Sequence, residues 1–382
     1  MKQQKICIIG GSLSGLATAI SLSELNCKID LVTDNVLRNQ KSNRTVAISQ
    51  NNFDFLNKLD ISKSFKKEAW SCTSMKLYSE VKNEKFAKLF ELNNETKQRK
   101  ILYMLENDKL INLMLKKIKK NKSISIINSK KVSSISSSGL LKSVKFNNKS
   151  FKYNLVIICT GHNSDLTKNI FNDGVIENSY EESAITTILK HSPLKNNTVR
   201  QIFLDKGILA FLPISNTKTS IVWSLKNNFE KKGDYFLKRR IKFYAKNYLK
   251  NIKFSNSLSC KNLNFVIRKK YYVDRTLLLG DALHVIHPFV GQGFNMTLRD
   301  LISLKKILIK KINLGLDIGS SDILSEFSDE IKPRNFIFSM GVDILKNSFS
   351  HKRLRNNVLK SLNKNNLAKD IFFNIADEGL RF

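Results

Sequence analysis

The sequence predicts an α/β chain: a Rossmann-like dinucleotide-binding domain, an antiparallel sheet inserted into it, and a helical C-terminus. Three observations predict it. Apolar runs at Lys5–Ile9, Leu155–Ile158 and Leu277–Leu279 each end in a glycine turn, as buried parallel strands do when their tips form a ligand site. Between the second and third of these, four runs alternate or cluster apolar residues between turn signals, which marks an antiparallel sheet. Beyond Asn295 the pattern is helical to the end.

Bulk properties agree. At 382 residues, 42% hydrophobic and 25% charged, the chain is globular, not disordered, and long enough for two domains. Its five cysteines are scattered and read as buried small hydrophobes in a reducing cytosol, and its five histidines are equally scattered, so no metal site is visible. The N-terminal apolar run is too short for a signal peptide, and nothing approaches the roughly 18 apolar residues of a membrane span. The expected location is cytoplasmic, or peripheral on the inner face of a membrane. The net charge of +33 is spread over the chain as Lys, among many Asn and Ile. It reads first as compositional drift of permissive surfaces, second as attraction to an anionic membrane, and last as nucleic-acid binding, which no motif supports.

The elements follow in order. Lys5–Ile9, the turn Gly10-Gly11-Ser12-Leu13-Ser14-Gly15, the helical run Leu16–Leu22 and the strand Ile29–Val32 make a βαβ unit. Gly10 makes the tight turn and Gly15 lets helix and strand pack closely; Ser12 stands where backbone meets a pyrophosphate. Thr33 and Asp34 close the second strand, where an acid meets a ribose. Arg44, before a small-residue turn, reads equally as a phosphate-pairing fork or a solvated cation. A helix is expected from Asn51 to Leu59, strands from Trp70 to Leu89, and a helix from Glu106 to Lys120 with cations at its C-terminal end. Short strands at Ile124–Ile127 and Leu140–Phe146 precede Leu155–Ile158, which ends at Cys159-Thr160-Gly161-His162-Asn163-Ser164. Tyr180–Leu189, Val199–Leu204, Leu209–Ile214 and Ser220–Leu225 form the inserted sheet, and Lys231–Lys253 reads as helices. After Leu277–Leu279 come Gly280-Asp281 and a loop framed by Pro288, Gly291 and Gly293, with a helix from near Asn295. Its N-terminus offers unpaired N–H groups to a negative ligand. Leu301–Ile312 is amphipathic and Lys-rich, and Pro333 marks a helix start.

The three glycine-framed tips, in this order, resemble the three flavin motifs of class A FAD-dependent monooxygenases. Within that class the chain most resembles the ubiquinone-biosynthesis ring hydroxylases. His287-Pro288-Phe289-Val290-Gly291-Gln292-Gly293-Phe294-Asn295 with Arg299-Asp300, and the Arg44–Ser49 segment, carry the likeness most specifically. Tyr103–Asn107, Phe203–Trp223, Arg334-Asn335 and Asp343–Ser350 extend it over nearly the whole chain.

The resemblance implies the para-hydroxybenzoate hydroxylase type of fold. The FAD domain would be discontinuous, at 1–68, 101–176 and 262–312; the substrate domain would occupy 69–100 and 177–261, and a helical segment 313–382. It implies FAD held by Gly10, Gly11, Ser12, Gly15, Thr33, Asp34, Arg44, Gly280, Asp281, Pro288, Gly291, Gln292, Gly293 and Asn295. NAD(P)H would reduce the flavin, O2 would add at C4a, and the hydroperoxide would hydroxylate a polyprenylated phenol or quinol. The flavin carries that chemistry, so no catalytic side chain is named. His284 and His287 read as loop-shaping residues before acid–base groups. Phe211, Leu212, Pro213 and Trp223 are the candidate substrate-pocket wall. A lipid-tailed substrate implies an anionic membrane surface or a quinone-synthesis complex as further partner. Four departures from the family pattern, Ser12, Thr33, Thr160 and Leu283, imply the alternative of a non-catalytic or weakly flavin-binding partner in such a complex; Leu283 would narrow the space beside the ribityl chain.

Overall fold

The computed structural model describes residues 3–34, 42–63, 65–81, 85–94, 99–226, 232–288 and 291–379. Lys5–Ile9 lies inside a six-stranded sheet ordered Tyr272–Val273, Thr276–Leu278, Leu155–Ile158, Lys5–Ile9, Lys28–Thr33, Ile124–Asn128. Its neighbours on both sides run parallel to it. Ile6, Cys7 and Ile8 are wholly buried, which is why this strand reads as a continuous apolar run and not as an alternation. The Leu13–Leu22 helix packs against the helices Asn107–Lys120 and Gly293–Asn313. A three-stranded sheet, Val132–Ser138, Leu141–Phe146 and Lys149–Tyr153, adds Val144, Phe146 and Tyr153 to the same core.

The second sheet is ordered His284–Val285, Ser259–Arg268, Val175–Lys190, Lys218–Lys226, Gly207–Ser215, Thr198–Leu204, Ser74–Glu80, Phe86–Asn93, with Lys253–Phe254 beside Val175–Lys190. It is antiparallel except where Thr198–Leu204 runs parallel to Ser74–Glu80. Those two strands come from separate excursions into the domain, so no hairpin dictates their direction. Strand Ser259–Arg268 escapes a pattern reading because its first four residues, Ser259 to Asn262, are polar and exposed. It runs across the boundary expected at 261/262, as Val175–Lys190 runs across 176/177. His284–Val285 pairs with Val266 and Ile267, so the loop that opens the last glycine motif is hydrogen-bonded to the inserted sheet.

Two expectations are corrected in the helical parts. Lys231–Lys253 is not helical throughout: the helix spans Asp234–Ala245, Asn251 takes a left-handed φ of 54°, and Lys253–Phe254 is a strand. Pro333 does not start a helix but lies inside Ser321–Ser350. There the buried Phe327, Ile331, Phe338 and Val342 keep one apolar face across it, and tertiary burial outweighs the hydrogen bond that proline removes. The helices Lys352–Lys364 and Asn366–Glu378 finish the described chain.

Candidate cofactor and substrate cleft

Parallel register brings the three glycine-framed tips side by side. Cys159 N–H donates to Ile9 O at 2.8 Å, Leu279 N–H to Ile158 O at 3.0 Å, and Gly10 N–H to Val32 O at 2.9 Å. Gly10, at φ 123°, has no room for a side chain: a Cβ would stand 2.7 Å from Cys159 O. A Cβ on Gly15 would stand 1.8 Å from Gly10 O, so the helix sits directly on the turn. Ser12 caps that helix by position without a side-chain cap bond; its Oγ reaches only Cys159 O, at 3.4 Å. The N–H groups of the first helical turn are therefore left for a ligand, in a field that favours an anion. Gly11 lies in the same turn. At the end of the second strand Thr33 is buried, whereas Asp34 is exposed, so Asp34 is the one that can meet a ribose.

The third tip leans on the first. Gly280, at φ 72°, would put a Cβ 2.5 Å from Ser14 Oγ. Asp281 follows it, exposed on the rim of a cleft of about 330 Å3 that Pro288, Gly291, Gly293 and Arg44 also line. Gly291, at φ 66°, stands where a Cβ would lie 2.9 Å from Ala47 Cβ. Gln292 is buried with Oε1 unpartnered and makes no side-chain cap bond to the Gly293–Asn313 helix. Asn295 behaves differently from the expectation. Its Oδ1 accepts from Ser49 N–H at 3.0 Å and Asn52 Nδ2 at 3.1 Å, and its Nδ2 donates to Ala47 O at 2.9 Å and Gly291 O at 3.3 Å. With both ends of the amide engaged, Asn295 clamps the Gly291 loop to the 47–49 segment, and its side chain is not free for the cofactor.

Arg44 is held at the cleft by the antiparallel pairing of Thr45–Ile48 with Leu102–Glu106. Opposite it stands Lys261, a residue the sequence did not announce. The residue as a whole is exposed, but the cleft walls partly desolvate its amino group; that, and then the Arg44 charge, lower the Lys261 pKa, while Asp281 partly compensates. His162 also lines the cleft, and burial lowers its pKa. Arg268, equally unannounced, is buried and donates to Ala282 O at 2.9 Å, Phe171 O at 2.8 Å and His162 O at 3.3 Å. It fixes the second and third tips to each other. His284 Nε2 meets Asp300 Oδ2 at 2.7 Å, and Asn335 donates to Asp300 Oδ1 at 2.9 Å; this ring is anchored from behind.

The other wall is the inserted sheet, but not the face expected. Ala210, Leu212, Val222 and Ser224 line the cleft. Phe211, Pro213 and Trp223 do not. Strand residues alternate sides, and Phe211 and Trp223 lie beneath the Asp234–Ala245 helix and the turn after it: Trp223 meets Tyr244 edge-on at 5.9 Å and Phe211 meets Tyr248 at 5.6 Å. Of that group only Leu212 faces the cleft. Leu283 is wholly buried in the core and takes no space from the cleft. Thr160 spends its hydroxyl on Thr167, 3.1 Å away.

These residues fit FAD. Glycine cradles that no side chain could enter, two helix N-termini without side-chain caps, and cations opposite Asp281 suit an extended anionic cofactor, and the smooth apolar sheet face suits a ring-bearing substrate. No group of three or more metal-ligating side chains occurs among the described residues.

Comparisons with known proteins agree. A family model described as an FAD binding domain matches residues 3–334. The mitochondrial ubiquinone biosynthesis monooxygenase COQ6 of Dictyostelium discoideum is 25% identical over 339 residues, covering 72% of this chain and 68% of that protein. The human COQ6 is 27% identical over 239 residues, 52% of this chain and 51% of its own length. The ubiquinone hydroxylase UbiL of Rhodospirillum rubrum is 28% identical over 188 residues, 47% of this chain and 42% of its own. Against several curated relatives, then, the match spans about half of their length. Among solved structures, PqsL of P. aeruginosa in complex with 2-aminobenzoylacetate has a TM-score of 0.79 at 16% identity, covering 94% of this chain and 99% of its own. The p-nitrophenol 4-monooxygenase PnpA of Pseudomonas putida has a TM-score of 0.79 at 16% identity, covering 100% and 99%. At that identity the likeness is one of fold.

Proposed function

The chain belongs to the FAD binding domain family, and from that premise we propose that it is a class A monooxygenase that hydroxylates the ring of a polyprenylated phenol or quinol in ubiquinone synthesis, with NAD(P)H and O2. One observation carries the reading: the glycine-framed residues 281–288, with Gly291 and Gly293, and the apolar face of the inserted sheet are opposite walls of one cleft. FAD, when bound, supplies the oxidation chemistry. The chain's own residues do the rest. The uncapped helix at Gly293 stabilises negative charge that develops beside it, without reorganising. Arg44 and Lys261 attract anionic groups to the rim. Ala210, Leu212, Val222 and Leu263 keep water away from the reacting ring.

The lipid tail of such a substrate places the protein beside a bilayer. No helix among the described residues is long and apolar enough to cross a membrane. Leu354 and Val358, then Leu367, Ile371 and Ile375, are exposed on the last two helices, beside Lys352, Arg353, Lys360 and Lys364. An apolar stripe flanked by cations suits the surface of an anionic membrane.

The test is direct. Purified protein should carry FAD and consume O2 with NAD(P)H in the presence of a prenylated phenol, giving a product heavier by one oxygen. A chain that rejects FAD refutes the proposal; one that binds FAD and turns over no phenol supports the non-catalytic alternative. Sedimentation with anionic vesicles, weakening as salt rises, tests the membrane arm.

A further inference from the structure

Beside the cleft lies a chain of groups that cofactor binding does not use. His287 lines the cleft and is 2% exposed. Its Nε2 meets Glu182 Oε2 at 3.2 Å, and the other oxygen of Glu182 meets Lys346 Nζ at 3.1 Å. Three parts of the molecule converge here: Glu182 from the inserted sheet, His287 from the glycine loop, Lys346 from the Ser321–Ser350 helix. Glu182 sits at an irregularity in its strand. The register with Ser259–Arg268 shifts between Ser179 and Glu182, and Glu181 takes a left-handed φ of 52°. Such bulges re-aim side chains and recur next to active sites.

The protonation pattern follows from the partners. Burial opposes ionisation of Glu182, but the bond to His287 and the Lys346 charge outweigh it and hold the carboxyl below its usual range. An ionised carboxylate only accepts, so Nε2 carries a proton in this pair, and in a ring that holds one proton Nδ1 is an acceptor. Nδ1 is buried and has no partner. A buried acceptor left empty is costly, and a ligand hydroxyl would relieve that cost. The ring is pinned: Tyr180 meets it edge-on at 5.1 Å, and Lys346 Nζ lies 4.6 Å from the Tyr180 ring centroid.

We propose that His287 accepts the hydroxyl proton of the aromatic substrate, and that Glu182 and Lys346 are the positioning residues that hold it ready. The substrate O–H bond breaks as Nδ1–H forms. The electron pair stays on oxygen, giving a phenolate whose ring is richer in electrons, and Glu182 balances the imidazolium until the proton passes to solvent. The charged and titratable groups on this side are Glu182 and Tyr180 from the strand and Lys346 and Asp343 from the helix. On the loop itself His284, three residues back, is paired with Asp300 of the Gly293–Asn313 helix. The assignment rests on the cleft's being an aromatic hydroxylation site.

The experiment uses the FAD-loaded full chain and 4-nitrophenol, whose ionisation is visible by absorbance. Bound to the wild-type chain the probe should ionise at lower pH than when free. His287→Gln should abolish that difference and lower kcat/KM on a phenolic substrate by about 10²- to 10⁴-fold. Glu182→Gln should keep probe binding but shrink the difference and move the acid limb of the pH–rate profile. A wild-type chain that fails to bind the probe, a bound probe that ionises as it does free, or an unchanged shift in His287→Gln overturns the assignment. FAD content is read separately. A chain that ionises the probe yet hydroxylates nothing leaves His287 assigned and refutes the proposed function.

Discussion

Asn295→Ala separates a clamp from a cofactor ligand. The wild-type amide is wholly buried and makes four hydrogen bonds, at 3.0, 3.1, 2.9 and 3.3 Å, to Ser49, Asn52, Ala47 and Gly291. Removing it deletes bonds worth about 1 kcal/mol each and leaves the Ser49 N–H and Ala47 C=O buried without partners, a total of roughly 3–5 kcal/mol. For a chain of 382 residues that is a fall in Tm of roughly 4–6 °C. Because every partner is protein, apoprotein and FAD-loaded protein should lose stability together in thermal melts. Asn295→Asp is nearly the same shape, yet it turns an acceptor toward Ala47 O and Gly291 O, so it should be no better than alanine at neutral pH. Fluorescence titration with FAD completes the assay. An apoprotein Tm unchanged in Asn295→Ala, together with a tenfold or greater loss of FAD affinity, would refute the clamp.

Other outcomes follow from the same geometry. Ala210→Trp should fill the cleft and block substrate while leaving Tm nearly unchanged, whereas Trp223→Ala, beneath the Asp234–Ala245 helix, should cost about 3–5 kcal/mol; substrate-binding assays beside melts decide between the faces. Glu182 has a lowered folded pKa against an ordinary 4.5, so its stabilisation is full above that value and is lost as pH falls through the folded one; the acid limb of Tm against pH should be shallower in Glu182→Gln. Burial raises the thiol pKa of Cys7, Cys27, Cys72 and Cys159, while Cys260 is exposed, so a thiol reagent should label native protein at Cys260 first and the other four only on unfolding.

Much of the fold was legible because local rules and tertiary demands agree there. A run such as Ile6-Cys7-Ile8-Ile9 ends at a glycine that must accept φ 123° against a neighbouring strand, and sequence shows both facts at once. The adjacency of the three tips follows from parallel βαβ topology. Where local rules are silent, the reading failed. Alternation in Phe211–Trp223 announces two faces and not which one meets a ligand; the helix that covers the bulky face lies in another segment. Lys261 and Arg268 sit on a strand whose polar half carries no pattern, and no spacing links Glu182 to His287, 105 residues later.

The sequence by itself determined the class of fold, the glycine-framed cradle and the helix N-termini that suit an anionic cofactor, because backbone sterics and end charges are properties of short segments. Only the tertiary structure decided which side chains of that cradle remain open to a ligand. It turned Asn295 inward as a clamp, sent Phe211 and Trp223 away from the cleft, and joined Glu182, His287 and Lys346. Those outcomes depend on which face each element buries, and burial is settled by distant segments.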